Sequence, residues 1–494
     1  MDRNFEEWLD KNNLQHAPHQ KIAVEWCLQR EKAETGPKGG INADEMGLGK
    51  TIEMLGTIYS NPLPHTLIVL PYSLLEQWRN IITTLFHHEP LIYHGPKRKR
   101  LTREQVLQHP IVVTTYGLLN ERYPDPEEPE EEELSLLYTI QWNRIVYDEA
   151  HHLRNKKTAV HLGALRLRTE ITWLMTGTPI QNSEQDLYNL FAILGFNSQA
   201  SLKANITTLI AEYILRRTKE EAGLKLPACH SAIVSVPWKY TKEQNLAKKI
   251  HSKLAFSQLT QNDILSGPDG YFTDLANAKK ICVLPSLFKN TTKKKFRFIL
   301  DESDLSVKAD PTIKADLSVK ADPTIHSIKK QELCNHSSKL DSVIKTILAR
   351  KNNGKPKLVF CYFHKEIDTL YEVFMHQAMN VKKFDGRTSK KDRTQILLEP
   401  CEVLIGQIEA TNEGLNLQAY KEIYIVSPHW NPAVEDQAIA RCHRLGQTEE
   451  VTVFHFLMTG FTNEEADAIT LDQHICNIQE KKRDIIQTFL GNTF

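Results

Sequence analysis

The chain has 494 residues, 41% of them hydrophobic, which is too long for a single core and suggests two large units plus insertions. Its 61 basic and 61 acidic side chains cancel, which excludes a globally basic nucleic-acid binder but not a local basic channel offset by acid elsewhere. Eight cysteines without one CxxC pair exclude the common zinc spacings and read as free thiols in a reducing compartment.

The opening MDRNFEEWLD has no apolar segment, so no secretory signal is expected, and no stretch reaches the apolar length of a membrane span. The expectation is a soluble intracellular protein with no membrane partner. Residues 44–51 read DEMGLGKT. Gly47 and Gly49 let the backbone turn tightly and offer N–H groups to a phosphate, Lys50 can reach the β- and γ-oxygens, and Thr51 can ligate Mg²⁺. The strict phosphate-loop pattern asks for glycine where Asp44 stands, so a glycine-rich surface turn is the competing reading. Thr51 to Leu55 then reads as a helix start, and a helix N-terminus binds phosphate through its free N–H groups.

Short β-branched runs follow, separated by helical spacers: Leu67–Leu70 before Pro71, Ile111–Thr115 near Gly117, Arg144–Tyr147 before Asp148, and Ile171–Met175 before Thr176-Gly177-Thr178-Pro179. Such runs describe buried parallel strands, and each ends where unusual polar residues begin, as ligand sites in α/β sheets do. Lys97 to Arg100 is a basic run after Gly95-Pro96, readable as a nuclear signal or as a solvated turn. Glu127, Glu128 and Glu130 to Glu133 concentrate acid in a Pro-rich stretch expected to lie away from any DNA channel. Asp148 is placed to hold Mg²⁺ and Glu149 to orient and deprotonate a water, with His151 just beyond, able to sense a γ-phosphate. Residues 1–230 are taken as the first domain.

Residues 231–334 break the pattern and are read as a helical linker with a low-complexity insertion. DLSVKADPTI at 304–313 repeats identically at 316–325, two copies being too few for a solenoid. From 335 to 494 the alternation resumes, with strands expected at Lys357–Cys361, Val403–Gly406, Glu422–Val426 and Val451–Phe456, and a tail helix from Lys481 that packs back or frays. Within QAIARCHRLGQ, residues 437–447, Arg441 and Arg444 share a helix face; two guanidiniums there suit a triphosphate, reached from the second domain as arginine fingers.

These motifs together resemble the Snf2 (Swi2/Snf2) family of superfamily 2 helicase-like ATPases. Pro18-His19-Gln20 with Trp26 is similar to its N-terminal segment, in which the glutamine meets adenine, and DEMGLGKT is the family's own form of motif I, first aspartate included. Leu67–Pro71 with Trp78 resembles motif Ia, Thr114-Thr115-Tyr116 motif Ib, DEAHHLRN (148–155) motif II, and MTGTPIQN (175–182) motif III. Leu215 to Lys219, Asp385-Gly386, Glu413 to Leu417 (motif V) and Arg441, Arg444, Gly446 and Gln447 (motif VI) continue the likeness. Thr411-Asn412 departs from the usual Gly-Gly. The compact length and Gly414 to Gln418 are similar to the global transactivator proteins of baculoviruses.

The resemblance implies an α/β fold of two RecA-like domains with parallel sheets flanked by helices, and an inter-domain insertion. It implies catalytic roles for Lys50, Asp148, Glu149, Arg441 and Arg444, nucleotide contacts from Gln20, Asp44, Gly47, Gly49, Lys50, Thr51 and Gln447, and Mg²⁺ held by Thr51 and Asp148. ATP and Mg²⁺ are the implied cofactors and double-stranded DNA the partner, with nucleosomes or transcription proteins beyond it and a host nucleus as the setting. A strand-separating DNA or RNA helicase and a catalytically weak DNA-bound scaffold are the alternatives. The sequence leaves oligomeric state and an open or closed domain arrangement undetermined.

Overall fold

The computed structural model describes residues 4–120, 135–196, 198–252, 254, 271–287, 337–411, 415–461 and 469–491. The acidic stretch at 127–133, the repeat at 304–325 and the Asn412–Gly414 part of motif V lie outside the described residues.

Two all-parallel sheets carry the described chain. The first contains β1 (Lys38–Asn42), β2 (Thr66–Leu70), β3 (Leu91–Ile92), β4 (Ile111–Thr115), β5 (Gln141–Asp148), β6 (Arg168–Met175) and β7 (Ile214–Leu215), in the order β3-β4-β2-β5-β6-β1-β7. The second contains β8 (Cys229–Val236), β9 (Lys357–Cys361), β10 (Val381–Phe384), β11 (Val403–Gln407), β12 (Glu422–Ile425) and β13 (Val451–Met458), in the order β10-β11-β9-β12-β13-β8. Strands buried on both faces must be apolar at every position, and successive residues supply opposite cores. In the first sheet Leu67 and Val69 join Trp142, Ile145, Tyr147, Leu187 and Phe191 on one face. Ile68 and Leu70 join Val146, Trp173, Met54, Leu55 and Trp78 on the other. The second sheet divides the same way, with Val359, Val403 and Ile405 on one face and Leu358, Leu404 and Ile423 on the other. These are the two RecA-like domains expected.

All eight anticipated strands are present, and the additional ones explain themselves. β1 reads KGGIN and lacks a β-branched run, because its neighbours leave no room for one: a Cβ on Gly39 would stand 1.9 Å from the Thr172 carbonyl oxygen. β8 corrects the boundaries drawn at 231 and 335. It pairs with β13 from Cys229↔Val451 to Val236↔Met458, so it is an edge strand of the second sheet. Helices Thr241–His251 and Tyr271–Val283 bury Ala247, Ile250, Ala278, Ile281 and Cys282 in the second core. The run Ala232-Ile233-Val234 was the available signal, but it sits in a charged, helical neighbourhood. The tail helix, Leu471–Leu490, begins in the second core at Leu471 and Ile475 and ends with Ile485, Ile486 and Phe489 against the first. It packs back, and it crosses between the domains.

A buried ion pair interrupts the first core. Arg144, placed in an apolar run, is fully buried and forks onto Glu31, Nε to Oε1 and Nη2 to Oε2 both at 2.6 Å, while Trp173 Nε1 donates to the same Oε1 at 2.8 Å. A buried pair whose remaining donors are satisfied holds, but removing one partner strands the other charge. Arg144→Ala is expected to destabilise the chain by about 3–5 kcal/mol, read as a fall in chemical-denaturation free energy. A change below experimental error would show that the Arg144–Glu31 pair does not contribute to stability.

Candidate active site

β1 delivers the chain to the DEMGLGKT loop, and the helix Lys50–Ser60 leaves it. Gly47 and Gly49 take φ of 95° and 94°, and a Cβ on Gly49 would lie 2.2 Å from Gln20 Nε2. Only glycine meets both conditions without strain. The helix continues because Met54, Leu55 and Ile58 bury into the core and Gly56 lets the Phe5 ring approach. Its free N–H groups therefore stay aimed into the loop. Lys50 Nζ donates to the Asp44 carbonyl at 2.7 Å, and Thr51 is half-buried in the first turn.

β5 and β6 end beside this loop. Asp148 Oδ2 accepts from Trp78 Nε1 at 2.7 Å, and Tyr116 Oη donates to the Asp148 carbonyl at 2.7 Å. Burial and the neighbouring Glu149 charge push the Asp148 carboxyl up to about 6, against the pull of the Trp78 bond and Lys50. Glu149 sits at φ 50°, ψ 50°, a left-handed conformation uncommon for a side-chain-bearing residue and frequent at functional turns. Burial pushes its carboxyl up, but His151, Lys50 and Arg441 outweigh it and hold Glu149 down to about 2. His151 Nδ1 stands 3.3 Å from Glu149 Oε2, so the imidazole faces the carboxylate. An ionised carboxylate close to the phosphate loop is what a reacting water needs. Thr176 is fully buried, with its N–H on the Asn42 carbonyl, and Gly177 lies beside Lys50.

The second domain reaches this site. The Arg444 Cβ is 3.5 Å from where a Cβ on Gly47 would be, so the motif VI turn rests on the phosphate loop. Burial lowers the Arg444 pKa, and no carboxylate pairs with it among the described residues. Arg441 is close enough for its charge to act on Glu149. The domains also meet where Asn431 Nδ2 donates to Gln181 Oε1 at 2.8 Å and Lys482 Nζ to Asn182 Oδ1 at 2.9 Å; within the first domain Gln181 Nε2 donates to Thr178 Oγ1 at 3.1 Å.

Lys50, Thr51, Gly47, Gly49, Asp148, Glu149, Arg441 and Arg444 are therefore brought together, with Arg441 and Arg444 at and beyond the end of the helix Pro432–Ala440 rather than on one helix face, while Asp44 and Gln447 point their side chains elsewhere. The Asp44 carboxylate does not face the loop: it is buried against Arg217, Nε to Oδ1 at 3.1 Å and Nη2 to Oδ2, and Asp44 offers the loop only its carbonyl. Gln447 is saturated by protein: its Nε2 donates to the Gln418 and Cys442 carbonyls, both at 3.0 Å, and its Oε1 accepts from Lys421 and the Thr448 N–H. It braces the turn that carries the arginines. Gln20 Nε2 donates to the Leu48 carbonyl at 3.1 Å, so it lies on the loop itself. Trp78, Tyr116, Arg217 and Lys219 hold the site in place and were not singled out as site residues from sequence, because each acts on a group remote in the chain.

Among the described residues no three His, Cys, Asp or Glu side chains converge on a metal position. One carboxylate and one hydroxyl nevertheless fit Mg²⁺, which takes most of its ligands from water and a substrate's phosphates. Thr51 and Asp148 would hold it, and it would supply charge to the phosphate oxygens.

Residues 19–287 match the family model of the SNF2-related domain, and residues 338–446 that of the helicase conserved C-terminal domain. Similar curated proteins include DNA repair protein RAD5B of Arabidopsis thaliana (24% identical, covering 94% of this chain and 46% of that protein). Others are DNA repair protein rad8 of Schizosaccharomyces pombe (25%, 91% and 52%) and the uncharacterized ATP-dependent helicase MG018 of Mycoplasma genitalium (24%, 99% and 44%). The chain spans about half the length of these relatives. A solved structure of the Sulfolobus solfataricus SWI2/SNF2 ATPase core in complex with dsDNA is 21% identical, covers 97% of this chain and 94% of that one, and superposes with a TM-score of 0.39.

Proposed function

This chain belongs to the SNF2-related family of helicase-like ATPases, and from that premise we propose that it hydrolyses ATP between its two RecA-like domains to drive translocation along double-stranded DNA. The observation that carries the reading is Arg444: a part-buried arginine, paired with no carboxylate among the described residues, on a turn that rests on Gly47 of the phosphate loop. A part-buried guanidinium beside a phosphate-binding loop is placed to meet an anion, and a triphosphate on the loop supplies it. Lys50 binds the phosphates from one side and Arg441 and Arg444 from the other. Glu149 orients the water and takes its proton. DNA as the track is supported by relatives named as DNA repair proteins, and a moving enzyme must grip the backbone rather than read bases.

The finer reading is remodelling of protein–DNA complexes, nucleosomes or transcription proteins among them, as a transcription activator in a host nucleus. It rests on the likeness of Gly414 to Gln418 to the viral transactivators. Reporter activation in infected-cell nuclei, lost with Lys50→Ala, would support it.

Phosphate release measured with duplex DNA, single-stranded DNA and duplex RNA tests the main proposal. Duplex DNA is expected to stimulate turnover most. Lys50→Ala is expected to weaken both nucleotide binding and turnover, since its amine reaches the phosphates before and during reaction. Stimulation by RNA alone would favour the RNA-directed helicase, and a wild-type chain without turnover the scaffold.

A further inference from the structure

The segment Ile214–Lys219 runs along β1 and the first half of the phosphate loop. β7 pairs Ile41↔Ile214 and Asn42↔Leu215. The contact continues beyond the sheet, with the Ala43 N–H on the Leu215 carbonyl at 2.7 Å and the Glu45 N–H on the Arg217 carbonyl at 2.9 Å. Of its three cations, Arg216, Arg217 and Lys219, the last two bond to loop residues. Arg217 neutralises Asp44 and stands 3.3 Å from Glu53, both carboxylates fully buried beneath the loop, and its Nη1 donates to the His19 carbonyl at 2.6 Å. It ties the nucleotide-binding N-terminal segment to the loop floor.

Lys219 does something different. Its N–H donates to Glu45 Oε2 at 2.8 Å and its Nζ pairs with Glu45 Oε1 at 2.9 Å, which anchors it to the loop. The same Nζ lies 3.4 Å from the His443 carbonyl, in the second domain. Lys219 Cε and Arg444 Cβ both lie within 3.6 Å of where a Cβ on Gly47 would be. Gly47, Lys219 and His443-Arg444 therefore form one contact. We propose that Lys219 is a positioning residue that seats the arginine-bearing turn on the phosphate loop, by bridging Glu45 to the His443 carbonyl.

The bridge has the right chemistry for a contact that must form and break in each cycle. A compact ammonium with three donors can keep its carboxylate partner while releasing a carbonyl, so Lys219 stays on the first domain when the second departs. The turn it receives is braced within the second domain by Gln447 on the Cys442 and Gln418 carbonyls, so seating His443 also places Arg444. His443 Nε2 bonds the Pro227 carbonyl at 2.7 Å, a second tether from the same connecting chain.

This inference rests on the ATPase reading, and the test separates the two. Lys219→Ala in the full chain is expected to lower kcat by up to ~10²-fold, the scale of an ångström-sized misplacement, with KM for ATP nearly unchanged. Glu45→Gln, which removes the anchor, should fall in the same direction, and Lys219→Arg should restore most of the loss. In an Arg444→Ala background Lys219→Ala should add little, because it acts through the arginine. Binding should show the same split: preference for ADP–aluminium fluoride over ADP falls in Lys219→Ala while ADP affinity holds. Unchanged kcat in Lys219→Ala, or a loss that adds fully to that of Arg444→Ala, overturns the positioning role and leaves the ATPase reading standing. A wild-type chain with neither turnover nor that preference would overturn both.

Discussion

Arg444→Ala is expected to lower ATP turnover on the order of 10³-fold, the cost of losing an arginine finger in related phosphoryl-transfer sites. The loss should fall on kcat far more than on nucleotide affinity. Lys50 and the glycine loop supply the ground-state contacts, whereas the guanidinium acts on charge that develops as the terminal phosphoryl group leaves. The geometry points to Arg444: its turn sits on Gly47, the residue is part-buried, and no described carboxylate competes for it. Arg441→Ala should follow in direction, since its charge already reaches Glu149. Duplex binding should persist in both variants, because these side chains face the nucleotide loop. The measurements are steady-state kcat and KM with saturating duplex, a fluorescent-nucleotide Kd, and a mobility shift. Wild-type turnover in Arg444→Ala would remove the second domain from the chemistry, and with it the two-domain motor.

Glu149→Gln should bind ATP normally and turn it over ~10²-fold or more slowly, because general-base positioning is lost. The carboxylate is kept ionised by His151, Lys50 and Arg441 against the penalty of burial. The amide preserves shape and the left-handed backbone at φ 50°, but it cannot accept a proton. Single-turnover phosphate release separates this from slow product release. A normal rate in that assay would reassign water activation to another group, with His151, 3.3 Å away, first in line.

Both predictions use residues legible in the primary structure, and the reason is local. The phosphate loop with its following helix, and the acidic pair at a strand end, each occupy a few consecutive residues whose spacing alone places the groups. Gly47, Gly49, Lys50 and Thr51 therefore needed no tertiary information. The same holds for eight strands, since burial on both faces leaves unbroken apolar runs. The partners of Asp44 and Gln447 were not legible for the complementary reason. Both sit inside nucleotide motifs, but their side chains engage Arg217 and the Gln418 carbonyl, which come from elsewhere in the fold.

What the sequence by itself determined was the pair of α/β sheets and the chemical identity of the two half-sites. Periodicity and motif spacing are properties of neighbours in the chain, so they survive without coordinates. What only the tertiary structure decided was where the second domain begins and how the half-sites meet. β8 joins a sheet most of whose strands lie more than a hundred residues later, and the tail helix is shared between two cores. Lys219 links Glu45 to His443 across 174 and 224 residues. Contacts at such separations depend on packing of whole elements, and an ammonium, a carboxylate and a backbone carbonyl leave no periodic trace in the sequence that would announce their meeting.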